Sequence, residues 1–309
     1  MTQISPLFIK FALQLYPRTD MSGISTAKTG RFIGETGASI KSIVKIVMTG
    51  RGSLGKRRRN YIEMPGNNKQ LFILGNGPSL RQNIENDLSF LQNHDSLAVN
   101  FAANATEFGL IRPKFYLLAD PHFFRNSSDP NVERLIGNLN NIGWEMTLFV
   151  PLSAKIQRGV FSSPMLKVAT FPFVAVEGWK WLENMAFNRA MGMPRPRNVL
   201  IPSIMVGAWL GYQEIYLLGA DHSWLKTLDV TEDNRVVSVQ PHFYKEDERE
   251  EKRIRADYVG RRLHEVLESM QIAFRSYHRI RQWADRQCIK IYNATPGSMI
   301  DAFERKAIK

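Results

Sequence analysis

Six short stretches hold the side chains that suit binding and transfer chemistry. The first is Gly75-Asn76-Gly77-Pro78-Ser79, which follows the apolar run Gln70–Leu74 and opens an apolar-periodic segment. Two glycines permit a tight turn and close backbone approach to a ligand. Pro78 has the fixed φ of a first helical turn, and the N–H groups there form a natural phosphate site. The pattern is neither the Walker loop nor the G-x-G-x-x-G dinucleotide fingerprint. Asn100 and Asp120 each end an apolar run, the position where open α/β sheets bind ligands. Asparagine suits a base or ribose, and aspartate suits ribose hydroxyls or a metal. Leu217-Leu-Gly219-Ala-Asp221-His222 ends another run, and its Asp–His pair suits acid–base work or metal ligation. His242 lies in a loop-like stretch between Pro241 and Phe243. Thr295 and Ser298 follow the run Ile289–Asn293 in a Pro-Gly turn that reads as a further helix start, and they offer donors to the same crevice.

These residues need strands to carry them. Short apolar runs at 70–75, 96–100, 115–120, 146–150, 166–170, 214–219 and 289–293 alternate with helical patterns at 80–91, 199–210 and 258–286. Continuous apolar strands alternating with helices predict an α/β fold, a Rossmann-like, mostly parallel sheet with helices on both faces.

The chain has 309 residues and a net charge of +12. Eleven basic and two acidic side chains fall in residues 1–60, so +9 resides there and +3 in the remainder. Two amphipathic segments, around 7–16 and 40–47, and the run Gly50–Arg59 make this a basic helical N-terminal extension, suited to an anionic membrane surface. Aromatic residues are not interleaved with the basic cluster, which argues against nucleic acid as a partner. The predicted division is 1–68 as extension and 69–309 as nucleotide-binding catalytic domain. A single cysteine, Cys288, excludes an internal disulfide and a cysteine zinc site and fits a cytoplasmic location. No run is long enough to cross a bilayer, and no cleavage site follows the first apolar stretch.

LFILGNGPSL, the strand-end Asn100 and NVLIPSIMVGAWLGYQEIYLLGAD resemble the bacterial lipooligosaccharide sialyltransferases. They also resemble the related MptE-like (6-hydroxymethylpterin diphosphokinase-like) superfamily, whose motility-associated branch YNATPGSMIDAFER is similar to. The likeness covers about 70–125 and 195–305. It implies a metal-free glycosyltransferase that moves a sialic-acid-like sugar from a CMP-activated donor to a glycan or lipid-linked acceptor. Asn76 and Ser79 would contact the donor phosphate or sugar, Asn100 the cytidine, and Asn198 the donor. His242 would deprotonate the acceptor. Ser223 and Asp229 stand where the sialyltransferases have two phosphate-stabilising tyrosines, with His222 and Lys226 nearby. Asp120 replaces an asparagine, and its carboxylate suits Mg²⁺. The alternatives are therefore a Mg²⁺-dependent pterin or nucleotide diphosphokinase, or a non-catalytic nucleotide-binding protein. The oligomeric state is open.

Overall fold

The computed structural model describes residues 26–49, 70–124, 129–238, 258 and 260–308. The segments 7–16 and 50–59, the charged run 245–255 and His242 lie outside them. Strands β1 (Gln70–Leu74), β2 (Ser96–Val99), β3 (Phe115–Leu117), β4 (Met146–Pro151), β5 (Leu166–Phe171), β6 (Glu214–Leu218), β9 (Lys290–Asn293) and β10 (Glu304–Arg305) form one eight-stranded sheet. Its order is β10-β9-β6-β1-β2-β3-β4-β5, and every pair is parallel. A short antiparallel pair, β7 (Asp229–Val230) and β8 (Val236–Val237), stands apart.

Helices α1 (Thr26–Thr49), α2 (Ser79–Gln92), α3 (Phe108–Ile111), α4 (Pro130–Asn140), α5 (Lys180–Asn188), α6 (Leu200–Trp209) and α7 (Leu263–Arg286) surround the sheet. Alternate strand residues divide between its two faces. Leu71, Ile73, Leu97 and Leu217 pack with residues of α5, α6 and α7, whereas Phe72, Leu74 and Leu218 pack against α2. Ala98, Tyr116 and Leu148 pack against α4. The chain is thus a Rossmann-like α/β fold, as the alternating apolar runs predicted.

Helix α6 is buried along its whole length, which its near-continuous apolar sequence requires. The long C-terminal helix starts at Leu263 rather than Tyr258, with Glu265 reaching back 2.8 Å to the Arg262 N–H. After Pro296-Gly297 no helix follows, contrary to the sequence expectation. Gly297 takes φ +67° and the chain passes into β10 instead.

Helix α1, inside the predicted extension, packs on the body. Ile46 enters the core, Ser42 Oγ donates to Glu177 O and accepts from Glu177 N, each at 2.9 Å, and Ser39 Oγ accepts from Trp179 N at 2.8 Å. Glu177 is further held by Arg195 and by Arg279, 3.3 Å away. Burial pushes its carboxyl up, but the bond to Arg195 and the charges of Arg195 and Arg279 outweigh that and leave it low.

Candidate functional site

The chain lays down β1 to β5 outward on one side of β1, then returns to place β6 on its other side. The loops leaving β1 and β6 diverge there, and the crevice at their carboxyl ends is where such sheets bind ligands.

The two glycine loops meet backbone to backbone. Gly75 N donates to Leu218 O and Gly77 N to Gly219 O, both at 2.8 Å. A Cβ on Gly75 would stand 2.5 Å from Gly219 O, and one on Gly77 would fall on the Asp221 carboxylate. Asp221 takes both Ser79 donors, N–H at 3.3 Å and Oγ at 2.7 Å. The start of α2, where the sequence reading placed a phosphate, is therefore closed by the protein's own carboxylate, a favourable partner for the helix dipole. The Gly75, Gly77 and Ser79 amides are engaged by the second loop. Pro78 has no N–H, and the Asn76 amide has no partner among the described residues.

Asn76 turns toward the end of β2. Its Nδ2 lies 3.3 Å from Val99 O, and its Oδ1 is buried without a donor. A buried acceptor left unpaired is costly, and a ligand N–H or O–H would satisfy it. Beside it, Asn100 sits at φ +51°, a left-handed conformation asparagine tolerates, and its carbonyl accepts from Tyr116 Oη at 2.5 Å. Asp120 is exposed at the end of β3 and accepts from His122 N at 2.8 Å. His122 itself pairs with Asp129, 2.8 Å away.

A third group closes the other wall. Asn198 Oδ1 accepts from the Leu200 and Ile201 amides at 3.0 and 3.3 Å, at the start of α6. It also accepts from Tyr277 Oη at 2.9 Å. His222 Nε2 lies 2.8 Å from that same Oη. Asn198 Nδ2 stands 3.4 Å from the same Nε2, so the ring nitrogen faces both an amide and a phenol. Burial alone lowers the His222 pKa from 6.5 to about 4 and raises that of Tyr277, so both are neutral at physiological pH.

That burial has a stability consequence. The unfolded chain binds a proton on His222 at higher pH than the folded one. Its contribution is complete above about pH 6.5 and is lost as pH falls toward 4, roughly 3 kcal/mol in full. The melting temperature is expected to fall through that window. In His222→Gln it should start lower at neutral pH and fall less steeply. Parallel profiles for the two proteins would contradict the burial of a neutral imidazole.

Thr295 and Ser298 are buried and serve the second glycine loop. Thr295 Oγ1 donates to Leu217 O and accepts from Ala220 N, each at 3.0 Å, and Ser298 Oγ donates to Ala220 O at 2.6 Å. Lys226 is exposed in a 3-10 turn, Ser223–Thr227.

The open space lies between the end of β3, the start of α6 and the first half of α7. It is a cleft of ≈ 430 Å³ whose lining includes Asp120, Arg197, Asn198, Trp224, Arg261 and Met270. Neither Arg197 nor Arg261 has a side-chain partner among the described residues. The Trp224 ring packs 5.4 Å from His222 and 5.9 Å from Phe274. Two guanidinium groups, one carboxylate, one amide and one indole suit an anionic ligand with a planar ring. Among the described residues, no group of three or more His, Cys, Asp or Glu side chains is placed to hold a metal ion.

The chain matches no protein-family model and no curated protein. Among solved structures it is similar to the MAf glycosyltransferase from Magnetospirillum magneticum AMB-1, at 14% identity and a TM-score of 0.45. The match covers 77% of this chain and 33% of that one, so this chain spans about a third of its length.

The structure thus brings Asn76, Asn100, Asp120 and Asn198 to the carboxyl end of the sheet and buries His222, Thr295 and Ser298 in support of it. Sequence reasoning missed Arg197, Arg261 and Tyr277. Arg197 had a signal, standing beside Asn198 at the mouth of a buried helix. Arg261 had none, because it follows a charged run that reads as a solvated helix start.

Proposed function

We propose that this protein is a bacterial glycosyltransferase of polysaccharide biosynthesis. It moves a sialic-acid-like sugar from a CMP-activated donor to a cell-surface glycan or lipid-linked acceptor. The observation that carries this reading is a polar cleft at the carboxyl ends of the strands, lined by two guanidinium groups that have no side-chain partner among the described residues. A nucleoside monophosphate joined to an acidic sugar presents two anions and a ring, and the cleft offers a partner to each. The sequence motifs around Gly75–Ser79 and Leu217–Asp221 support the same reading.

In this scheme Arg197 and Arg261, with Lys226, neutralise the departing phosphate. Asn76 Oδ1 accepts from the donor, Asn100 and Asp120 hold the cytidine and its ribose, and Asn198 faces the donor. His242 takes the proton of the acceptor hydroxyl as its oxygen attacks the anomeric carbon. The bond from that carbon to the phosphate oxygen breaks on the opposite side, so configuration inverts and CMP leaves with the bonding pair. Asp221, His222, Thr295 and Ser298 act through position, holding the loops. No metal cofactor takes part. The enzyme works in the cytoplasm, peripheral to the inner membrane, and no helix of the described residues is long and apolar enough to cross it.

CMP release from CMP-sialic acid, followed by chromatography with and without a glycan acceptor, tests the reading. Release is expected in the presence of EDTA. Release of AMP from ATP and a pterin, abolished by EDTA, would replace it with the Mg²⁺-dependent diphosphokinase. CMP binding without turnover of any CMP-sugar would leave a nucleotide-binding protein.

A further inference from the structure

Helix α1 docks through a mixed side, Ser39 and Ser42 with Ile43 and Ile46, and leaves a second apolar side outward. Ser39 and Ser42 face the body, and Gly178, at φ +122°, lets the loop backbone come against them. Ile33, Ile40, Val44, Val47 and Met48 point the other way and are 65%, 52%, 42%, 64% and 78% exposed. With Gly37, they recur at four- and three-residue spacing, one continuous stripe along the helix. Lys41 and Lys45 are exposed along one edge of it, at a groove that Ile33, Glu177 and Arg195 also line. The sequence directly beyond α1 adds Arg51, Lys56, Arg57, Arg58 and Arg59.

We propose that this outward face of α1 docks on an anionic lipid surface. The face would lie parallel to the membrane, its five apolar side chains below the headgroups and its lysines among them. Charge favours lipid over a second copy. Pairing two such helices would bring Lys41 and Lys45 toward their like-charged counterparts, whereas an anionic leaflet attracts them. The proposal deepens the membrane placement given above by naming the docking face, and it does not depend on the identity of the donor.

The test is co-sedimentation of the full chain with phosphatidylcholine vesicles, with and without phosphatidylglycerol. Wild-type protein is expected to bind the anionic vesicles and to be released by salt. Ile40→Asp and Val44→Asp should each weaken binding at least about tenfold, the loss of one buried aliphatic side chain. Lys41→Gln and Lys45→Gln should cost about fivefold each. All four variants should keep the wild-type melting temperature and CMP affinity, because these side chains face solvent. Unchanged sedimentation of the aspartate variants would overturn the proposal. So would equal binding to neutral vesicles, or a wild-type dimer in light scattering that Ile40→Asp turns into monomer.

Discussion

Replacing Arg197 and Arg261 together by glutamine is expected to weaken CMP binding by about 100-fold and to leave the melting temperature of the free protein unchanged. Each guanidinium can give a phosphate or carboxylate charge-assisted hydrogen bonds worth about 1.5–3 kcal/mol. Two such groups around one ligand do not add fully, so the pair is set below the product of the singles. Glutamine keeps a donor and removes the charge. Arg197→Lys should retain part of the affinity, since lysine keeps the charge and loses the planar fork. Stability should not move, because neither guanidinium holds another side chain among the described residues. Isothermal titration calorimetry measures the affinity directly. A double variant that binds CMP as tightly as wild type would place the anion elsewhere, for instance at Asn76 and the glycine loops.

The second large effect is on folding. Gly219→Ala is expected to destabilise the protein by about 3 kcal/mol, lowering the melting temperature by roughly 6–12 °C. Gly219 takes φ +60°, and a Cβ there would press on Gly75 O and stand 2.9 Å from Leu80 Cβ. Neither neighbour can retreat, because Gly75 is bonded to Leu218 and Leu80 N is bonded to Gly77 O. Gly77→Ala should do at least as much harm, since its Cβ would displace the carboxylate that closes α2. Gly137→Ala is the control. Gly137 lies inside α4 with open space around a built Cβ, so alanine should be neutral or stabilise by up to about 1 kcal/mol. If Gly219→Ala melts with wild type, the two loops do not meet as described.

Most of the sheet was legible in the sequence, for a simple physical reason. Strands of a parallel sheet are buried on both faces and read as short continuous apolar runs, as Leu71–Leu74 and Ile215–Leu218 do. Helix α4 carries its own signals too. Asp129 caps it, Pro130 opens it, and Val132, Leu135 and Leu139 recur at helical spacing. The candidate site was half legible. Polar residues at strand ends could be found one strand at a time. That Asp221 would close a helix beginning at Ser79 could not, because the contact spans 142 residues and depends on β6 lying beside β1. Thr295 and Ser298 read as donors to a ligand, whereas the fold turns them to backbone groups of the second glycine loop. Helix α1 shows the limit of periodicity. An apolar stripe normally marks the buried face, but here the neighbour is the backbone at Glu177–Trp179, whose polar groups require the hydroxyls of Ser39 and Ser42.

In the proposed function the cleft between Asp120, Asn198 and Arg261 takes a cytidine nucleotide through its guanidinium groups. Calorimetric titration of the full chain with CMP, without divalent cations, tests it most directly. The expected result is saturable binding to one site, weakened about 100-fold by the Arg197→Gln/Arg261→Gln pair and insensitive to EDTA. No heat of binding with CMP, or binding that appears only with ATP and Mg²⁺, would contradict it.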